Sequence, residues 1–257
     1  MPAELRNESM RERLSCFWFS TPNETLAAIV ARAGFKRAIL DCEHGPMDAM
    51  ALYRFIPYCK ALGMEIMVKV SVAERHPVQS ALDFGADGVM IPHLKDLAHA
   101  RAATSYAKYP PLGDRSVGVA PHSGFARFAD DHVARANRET LCYAMIETPE
   151  AFAAVDEIAG LPTVDGIFPG MADLMMRQGR GRPKSTGSTA DYAADLERIA
   201  QATRRHGKLF VLSAKGPDER RRAIELGADI VCAMPEYTLL QEAVAQLRAT
   251  LDREAPA

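Results

Sequence analysis

Short apolar runs separated by amphipathic stretches set the rhythm of this chain. Leu14 to Phe19 (LSCFWF) is apolar, Pro22-Asn23-Glu24 opens an amphipathic stretch to Ala33, and Gly34 stops it. The unit recurs as Ala38 to Leu40 with a helical stretch from Met47 to Leu62, Glu65 to Val70 with His76 to Phe84, and Gly88 to Ile91 with Leu94 to Tyr106. Cys142 to Ile146, Gly166 to Phe168, Leu209 to Leu212 and Ile230 to Ala233 continue it, each followed by a helical pattern. Short strands apolar on both faces belong to parallel sheets covered by helices. Gly34, Gly63 and Gly85 stand where a left-handed residue ends a helix. Eight strand–helix units are the number that closes a barrel. The pattern therefore predicts an α/β protein, a single (β/α)8 TIM barrel over residues 1–257 with flexible ends at 1–12 and 252–257. Two segments break the rhythm: Tyr109 to Asp131, and Arg177 to Thr189, whose Gly, Arg and Ser content predicts a mobile loop.

Composition narrows the function classes. The 257 residues are 48% hydrophobic and 25% charged with a formal net charge of -2, and no basic stripe suggests a nucleic-acid partner. No apolar run is long enough to span a membrane. The opening MPAELRNESMRERL lacks the apolar core of a signal peptide, so a cytoplasmic setting is expected. Five widely spaced cysteines, an odd number mostly inside apolar runs, read as reduced buried thiols. Only Cys42, beside an acidic cluster, is a candidate for reactivity.

That cluster is KRAILDCEHGPMD, Lys36 to Asp48, where an apolar run delivers Asp41, Glu43 and His44 to a stop at Gly45-Pro46. Burying charge without partners is costly, so three ionisable groups at the mouth of an apolar strand read as a site. In a parallel barrel the strand C-termini build the active site. Those ends carry Trp18 and Ser20; Asp41, Glu43 and His44; Lys69; Pro92 and His93; Glu147; Asp173; Ser213 and Lys215; and Met234 with Glu236. Carboxylates from different strand ends with a histidine and a lysine suit a hard divalent cation and a general base. Glu147 and Asp173 are the expected ligands, and Mg²⁺ or Mn²⁺, with Co²⁺ as a third possibility, the expected metal. Each choice has a plainer competitor. Glu147 and Asp173 are also acids near helix starts, His44 a strand-end cap with its ring on Asp41, and Lys69 a snorkelling side chain. Arg115 either anchors its loop on backbone carbonyls or contacts substrate. His93 and His122 are weaker candidates, and His76, His99, His132 and His206 are expected to be solvated.

DCEH after an apolar strand, YPPLGDRSVG at Tyr109 to Gly118, MIETPEA at Met145 to Ala151 and VDGIFPGMADL at Val164 to Leu174 together resemble the HpcH/HpaI aldolase family. The similarity runs from Cys16 to Leu247 with the motifs in order. It implies a metal-dependent class II aldolase of the pyruvate/phosphoenolpyruvate barrel superfamily, with Glu147 and Asp173 on the metal. It also implies that the Gly170-Met171-Ala172 amides receive the pyruvate carboxylate, a sensible role for amides at a helix start. His44, paired with Asp41, becomes the acid/base, and Lys69 joins it in the catalytic set, which leaves Glu43 a structural role. Trp18, Leu212, Asp83 and Arg115 complete the substrate-binding set, Asp83 as a residue that family members present across a subunit contact. The last helix is expected to be exchanged between neighbours in a homo-oligomer, a hexamer or trimer.

The implied reaction is cleavage of a 4-hydroxy-2-oxo acid into pyruvate, or a related 2-oxo acid, and an aldehyde. Two residues depart from the pattern. Lys69 stands where the family carries an arginine, losing the planar fork that grips two oxygens. Met145 stands where family aldolases have a glutamine. Both keep alternatives open: another keto acid, a citrate-synthase-like condensation of oxaloacetate with an acyl thioester, or a member that binds a keto acid without turning it over.

Overall fold

A computed structural model of the protein describes residues 16–180 and 192–254. Eight parallel strands close into a barrel in sequence order: β1 (Cys16–Phe19), β2 (Arg37–Asp41), β3 (Glu65–Lys69), β4 (Gly88–Ile91), β5 (Leu141–Ile146), β6 (Gly166–Pro169), β7 (Leu209–Ser213) and β8 (Ile230–Pro235). Between and after them run α1 (Glu24–Arg32), α2 (Ala49–Ala61), α3 (Arg75–Asp83), α4 (Leu97–Ser105), α5 (His132–Glu139), α6 (Pro149–Ala153), α7 (Val155–Ala159), α8 (Met171–Arg177), α9 (Ala193–Arg205), α10 (Pro217–Glu225) and α11 (Glu236–Glu254). This is the (β/α)8 barrel that the apolar rhythm predicts. The expected flexible end at 1–12 and positions 181–189 of the expected loop lie outside the described residues. Residues Asp252–Glu254, expected to be a flexible end, instead form the last turn of α11.

Two helix starts fall later than the apolar pattern suggests, for a local reason. Asp48 accepts the Ala51 N–H and Asp96 the His99 N–H, so each aspartate caps its helix and the helix begins at the next residue. Gly34, Gly63 and Gly85 take φ of 98°, 79° and 103°, the left-handed stops expected of them. A repeated device fixes the bottom of the barrel. Asp87, Asp165 and Asp229, each just before an even-numbered strand, accept the N–H of Ile66, Cys142 and Phe210 near the start of the preceding strand.

Alternation along the strands creates two cores. Phe17, Phe19, Ala38, Leu40, Ile66, Val68, Val89 and Ile91 belong to the larger cluster that includes buried faces of the helices. Cys16, Trp18, Ile39, Met67, Met90, Tyr143, Met145, Phe168, Val211 and Cys232 form a second cluster that fills the barrel. Continuing that inner series by two residues gives Asp41 after Ile39, Lys69 after Met67 and Glu147 after Met145. The polar cluster is therefore the top layer of the barrel filling. The ring is fastened where β8 meets β1: buried Glu236 accepts the Ser20 N–H at 2.7 Å and the Thr21 hydroxyl at 2.9 Å.

Candidate active site

Asp41 and Lys69 are register partners on adjacent strands, which brings their side chains to one point. Asp41 Oδ1 accepts the backbone N–H groups of Glu43 (3.0 Å) and His44 (3.1 Å), and Oδ2 accepts the Trp18 indole N–H at 3.1 Å. Asp41 thus builds the turn that carries His44. The expected contact between the His44 ring and Asp41 is replaced by this backbone bond. With Oδ1 spent on two amides, the ring turns outward, 65% exposed, its Nε2 3.6 Å from Glu43 Oε1. Gly45 follows of necessity: a Cβ there would sit 2.0 Å from the Ser20 carbonyl oxygen and 2.8 Å from that of Asp41.

Lys69 is buried, its Nζ 2.6 Å from Glu43 Oε2 and 3.8 Å from Asp41 Oδ1, and 5.7 Å from the centre of the Trp18 ring. Burial alone would raise the Glu43 carboxyl, but Lys69 beside it, helped by His44 and His93, holds it below the usual value. This lysine is thus tied to carboxylates and is no mere snorkelling side chain.

His93 follows β4 and occupies the centre of the cluster, a position its sequence context barely signals. Its backbone N–H donates to Glu147 Oε1 at 2.5 Å, and its ring Nδ1 lies 3.0 Å from the same oxygen. Ring Nε2 is 2.5 Å from Glu43 Oε1, and the Arg177 guanidinium stands 3.3 Å from Nδ1. The available clue was a histidine directly after a strand-ending Ile-Pro.

Glu147 is almost fully buried, and burial, with Glu43 and Asp173 adding their charge, raises its carboxyl pKa against the opposing contacts of His93. Gly170 packs on it so closely that a Cβ would lie 2.6 Å from Glu147 Cβ and 2.8 Å from its Oε2. Asp173 lies on the first turn of α8. Among the described residues, no three His, Cys, Asp or Glu side chains converge on one point as a ready metal cage. The donor chemistry still fits a hard cation: two carboxylates offer oxygen ligands, and the cavity that Asp173 lines has room for the waters that Mg²⁺ and Mn²⁺ keep.

A cavity of about 440 Å³ opens above the strand ends, with Trp18, Asp41, His44 and Lys69 on its wall together with Met145, Phe168, Gly170 to Asp173 and Leu212. The Gly170 N–H, expected to receive a carboxylate, already donates to the Ile146 carbonyl at 2.8 Å and extends the β5–β6 ladder. Met171 and Ala172, the first helical residues of α8, carry the amides that have no intrahelical acceptor. Asp83 and Arg115 pair with each other at 2.8 Å, and Arg115 stacks on Tyr109 at 4.7 Å, so within this chain neither lines the cavity. His122 and His132 join that second group, and His132, expected on the surface, is buried against Phe128 at 3.9 Å. Burial, then the Asp41 charge, push the Cys42 thiol up to about 12, away from the thiolate that a reactive cysteine needs.

The sequence model of the family described as HpcH/HpaI aldolase/citrate lyase matches residues 14–233. The chain belongs to that family. Its aldolase members are carbon–carbon lyases. A hydroxypyruvate/pyruvate aldolase of Deinococcus radiodurans is 31% identical over 237 residues, 91% of this chain and 83% of the relative. The crystal structure of an HpcH/HpaI aldolase from Desulfitobacterium hafniense superposes with a TM-score of 0.86 at 26% identity, covering 96% of this chain and 95% of that one. The citrate synthase SbnG shares the fold, with a TM-score of 0.82 at 22% identity over 95% of both chains.

Proposed function

We propose that this carbon–carbon lyase is a divalent-metal-dependent aldolase that cleaves a 4-hydroxy-2-oxo acid into pyruvate, or a close 2-oxo relative, and an aldehyde. The observation that carries this reading is the single cavity in which His44 and Lys69 share a wall with Met171, Ala172 and Asp173. The Met171 and Ala172 amides hold the substrate carboxylate. Glu147 and Asp173 are the oxygen ligands for Mg²⁺ or Mn²⁺, with Co²⁺ a third candidate. When bound, the cation supplies positive charge for the enolate oxygen that develops as the bond breaks. His44, exposed on the wall, takes the proton of the 4-hydroxyl. The C3–C4 electron pair moves into the pyruvate enolate, the aldehyde departs, and the proton held by His44 is returned to C3, which completes pyruvate and restores the neutral imidazole. Lys69 pairs with Glu43 and offsets part of the charge of Asp41 beneath the substrate, a task that ties up its amine and disfavours a Schiff base.

The aldehyde and keto acid are small molecules, and no described helix is long and apolar enough to cross a membrane. The reading includes a cytoplasmic setting and a homo-oligomer, a hexamer or trimer with α11 exchanged between copies. Support for the oligomer comes from exposed Leu240, Val244 and Leu247 on that helix. A panel of 4-hydroxy-2-oxo acids assayed for pyruvate with and without EDTA tests the proposal. Activity should vanish in chelator and return with Mg²⁺ or Mn²⁺, and full turnover in EDTA would sink it. Lys69 and Met145, which depart from the family pattern, favour one second reading, a condensation of oxaloacetate with an acyl thioester. Thiol release on mixing those two substrates would separate it from the aldolase.

A further inference from the structure

We infer that His93 is a positioning residue for Glu147: its ring, anchored on Glu43, holds a left-handed backbone whose N–H fixes one carboxylate oxygen and leaves the other for a metal. The inference rests on the proposed reading of Glu147 as a ligand. Three observations carry it. His93 has φ of 54°, a region few residues other than glycine enter, though histidine is among those that tolerate it. In that conformation the backbone N–H points at Glu147 Oε1, at 2.5 Å. The ring, 37% exposed, is tied at both nitrogens, with Nδ1 3.0 Å from the same Glu147 oxygen. Nε2 is held 2.5 Å from Glu43 Oε1, and Glu43 is itself held 2.6 Å from Lys69 Nζ.

The chain of contacts therefore runs from Lys69 through Glu43 and His93 to Glu147. Each link limits the freedom of the next. With Oε1 engaged, Glu147 presents Oε2 to Gly170, whose missing Cβ leaves that oxygen room, and α8 with Asp173 begins at the next residue. An unusual backbone angle persists only where its surroundings enforce it, and here the enforcing contact is the buried Glu43 carboxylate. Partners that orient a ligating carboxylate typically alter metal affinity about 10- to 100-fold when removed.

Titrating Mn²⁺ into metal-free protein by calorimetry tests this without reference to turnover. His93→Gly keeps the backbone N–H and the left-handed angle at no steric cost but removes the anchor, so Mn²⁺ binding should weaken about 10- to 100-fold. His93→Asn, which tolerates the same angle and keeps a polar side chain toward Glu43, should recover most of the loss. The metal-free melting temperature of the Asn variant should match wild type, whereas the increment added by Mn²⁺ should shrink for the Gly variant. Wild-type affinity in His93→Gly, with Glu147→Gln unable to bind, would overturn the positioning role alone. Wild-type protein that binds no Mn²⁺ would overturn the metal reading and this inference with it.

Discussion

The Lys69 ammonium lies 2.6 Å from Glu43 Oε2, with 3% of one side chain and 10% of the other exposed. Strand register places Lys69 beside Asp41, and the turn built by Asp41 returns Glu43 over it. Removing one partner of a buried pair leaves an uncompensated charge and costs about 3–5 kcal/mol. Lys69→Met and Glu43→Gln should therefore each lower unfolding free energy strongly. The double variant should lose less than the two combined, by at least about 1 kcal/mol. Urea unfolding of the four proteins gives the coupling, and additive losses would mean the pair does not act as a unit.

His44 is the opposite case, a site residue with little structural burden. Its ring is 65% exposed, and its backbone N–H, which Asp41 holds, survives any substitution. His44→Ala should lower kcat about 10²- to 10⁴-fold, the usual contribution of a general acid/base, while stability stays within about 0.5 kcal/mol of wild type. Loss of fold and activity together would remove His44 from the proton-transfer role.

Gly170 is required for space. Its φ of -90° suits any residue, yet a Cβ would meet Glu147 Oε2 at 2.8 Å and Met145 Cε at 2.9 Å. The Met145 end can move; the buried carboxylate cannot do so cheaply. Gly170→Ala should cost about 1–3 kcal/mol from overpacking and impair Mn²⁺ binding more than Met145→Ala does. Unchanged Mn²⁺ affinity would show that Glu147 can shift without consequence.

The barrel was legible because its strands are apolar on both faces and its helices on one, so the period of the pattern changes at each boundary. DCEH was legible because charge at the end of an apolar strand needs a reason. His93 was not, since its weight comes from a backbone angle and from partners 50 and 54 residues away. Glu43, expected to be structural, is the hub that joins Lys69 to His93. The Gly170 amide misled because a loop residue after β6 still completes the sheet ladder. His132 misled because only folding stacks it on Phe128.

Buried His132 and half-buried His122 carry a pH signature. Burial first, then Arg115, lower the His122 pKa against the pull of Asp83; burial first, then Arg135 and Arg115, lower that of His132 against Asp131. Unfolded, both titrate near their ordinary value of about 6.5. Below that the unfolded chain binds more protons than the folded one, so the stability they contribute is present above it and lost as pH falls toward their folded values. The slope is at most about 1.4 kcal/mol per pH unit for each group. A His122→Gln, His132→Phe variant, which keeps the stack on Phe128, should lose less stability between pH 7.5 and 5 than wild type. Parallel losses in urea titrations would place the acid sensitivity elsewhere.

Helix α11 meets β1 and β8 near its start, and Glu236 alone of its residues is buried. Beyond that anchor, Tyr237, Leu240, Val244, Leu247 and Leu251 follow at alternating spacings of three and four, each between 44% and 64% exposed. Such spacing lays one apolar stripe along one face. A helix gains most of its stability from packing that face, and this one packs little of it within the chain. Covering each aliphatic side chain is worth about 1.5–3 kcal/mol, from which the cost of association is subtracted. For the proposed oligomer, Val244→Glu with Leu247→Glu should therefore shift sedimentation to a smaller species and lower far-ultraviolet helicity as the uncovered helix frays. An assembly of unchanged mass would show that the stripe lies outside any subunit contact.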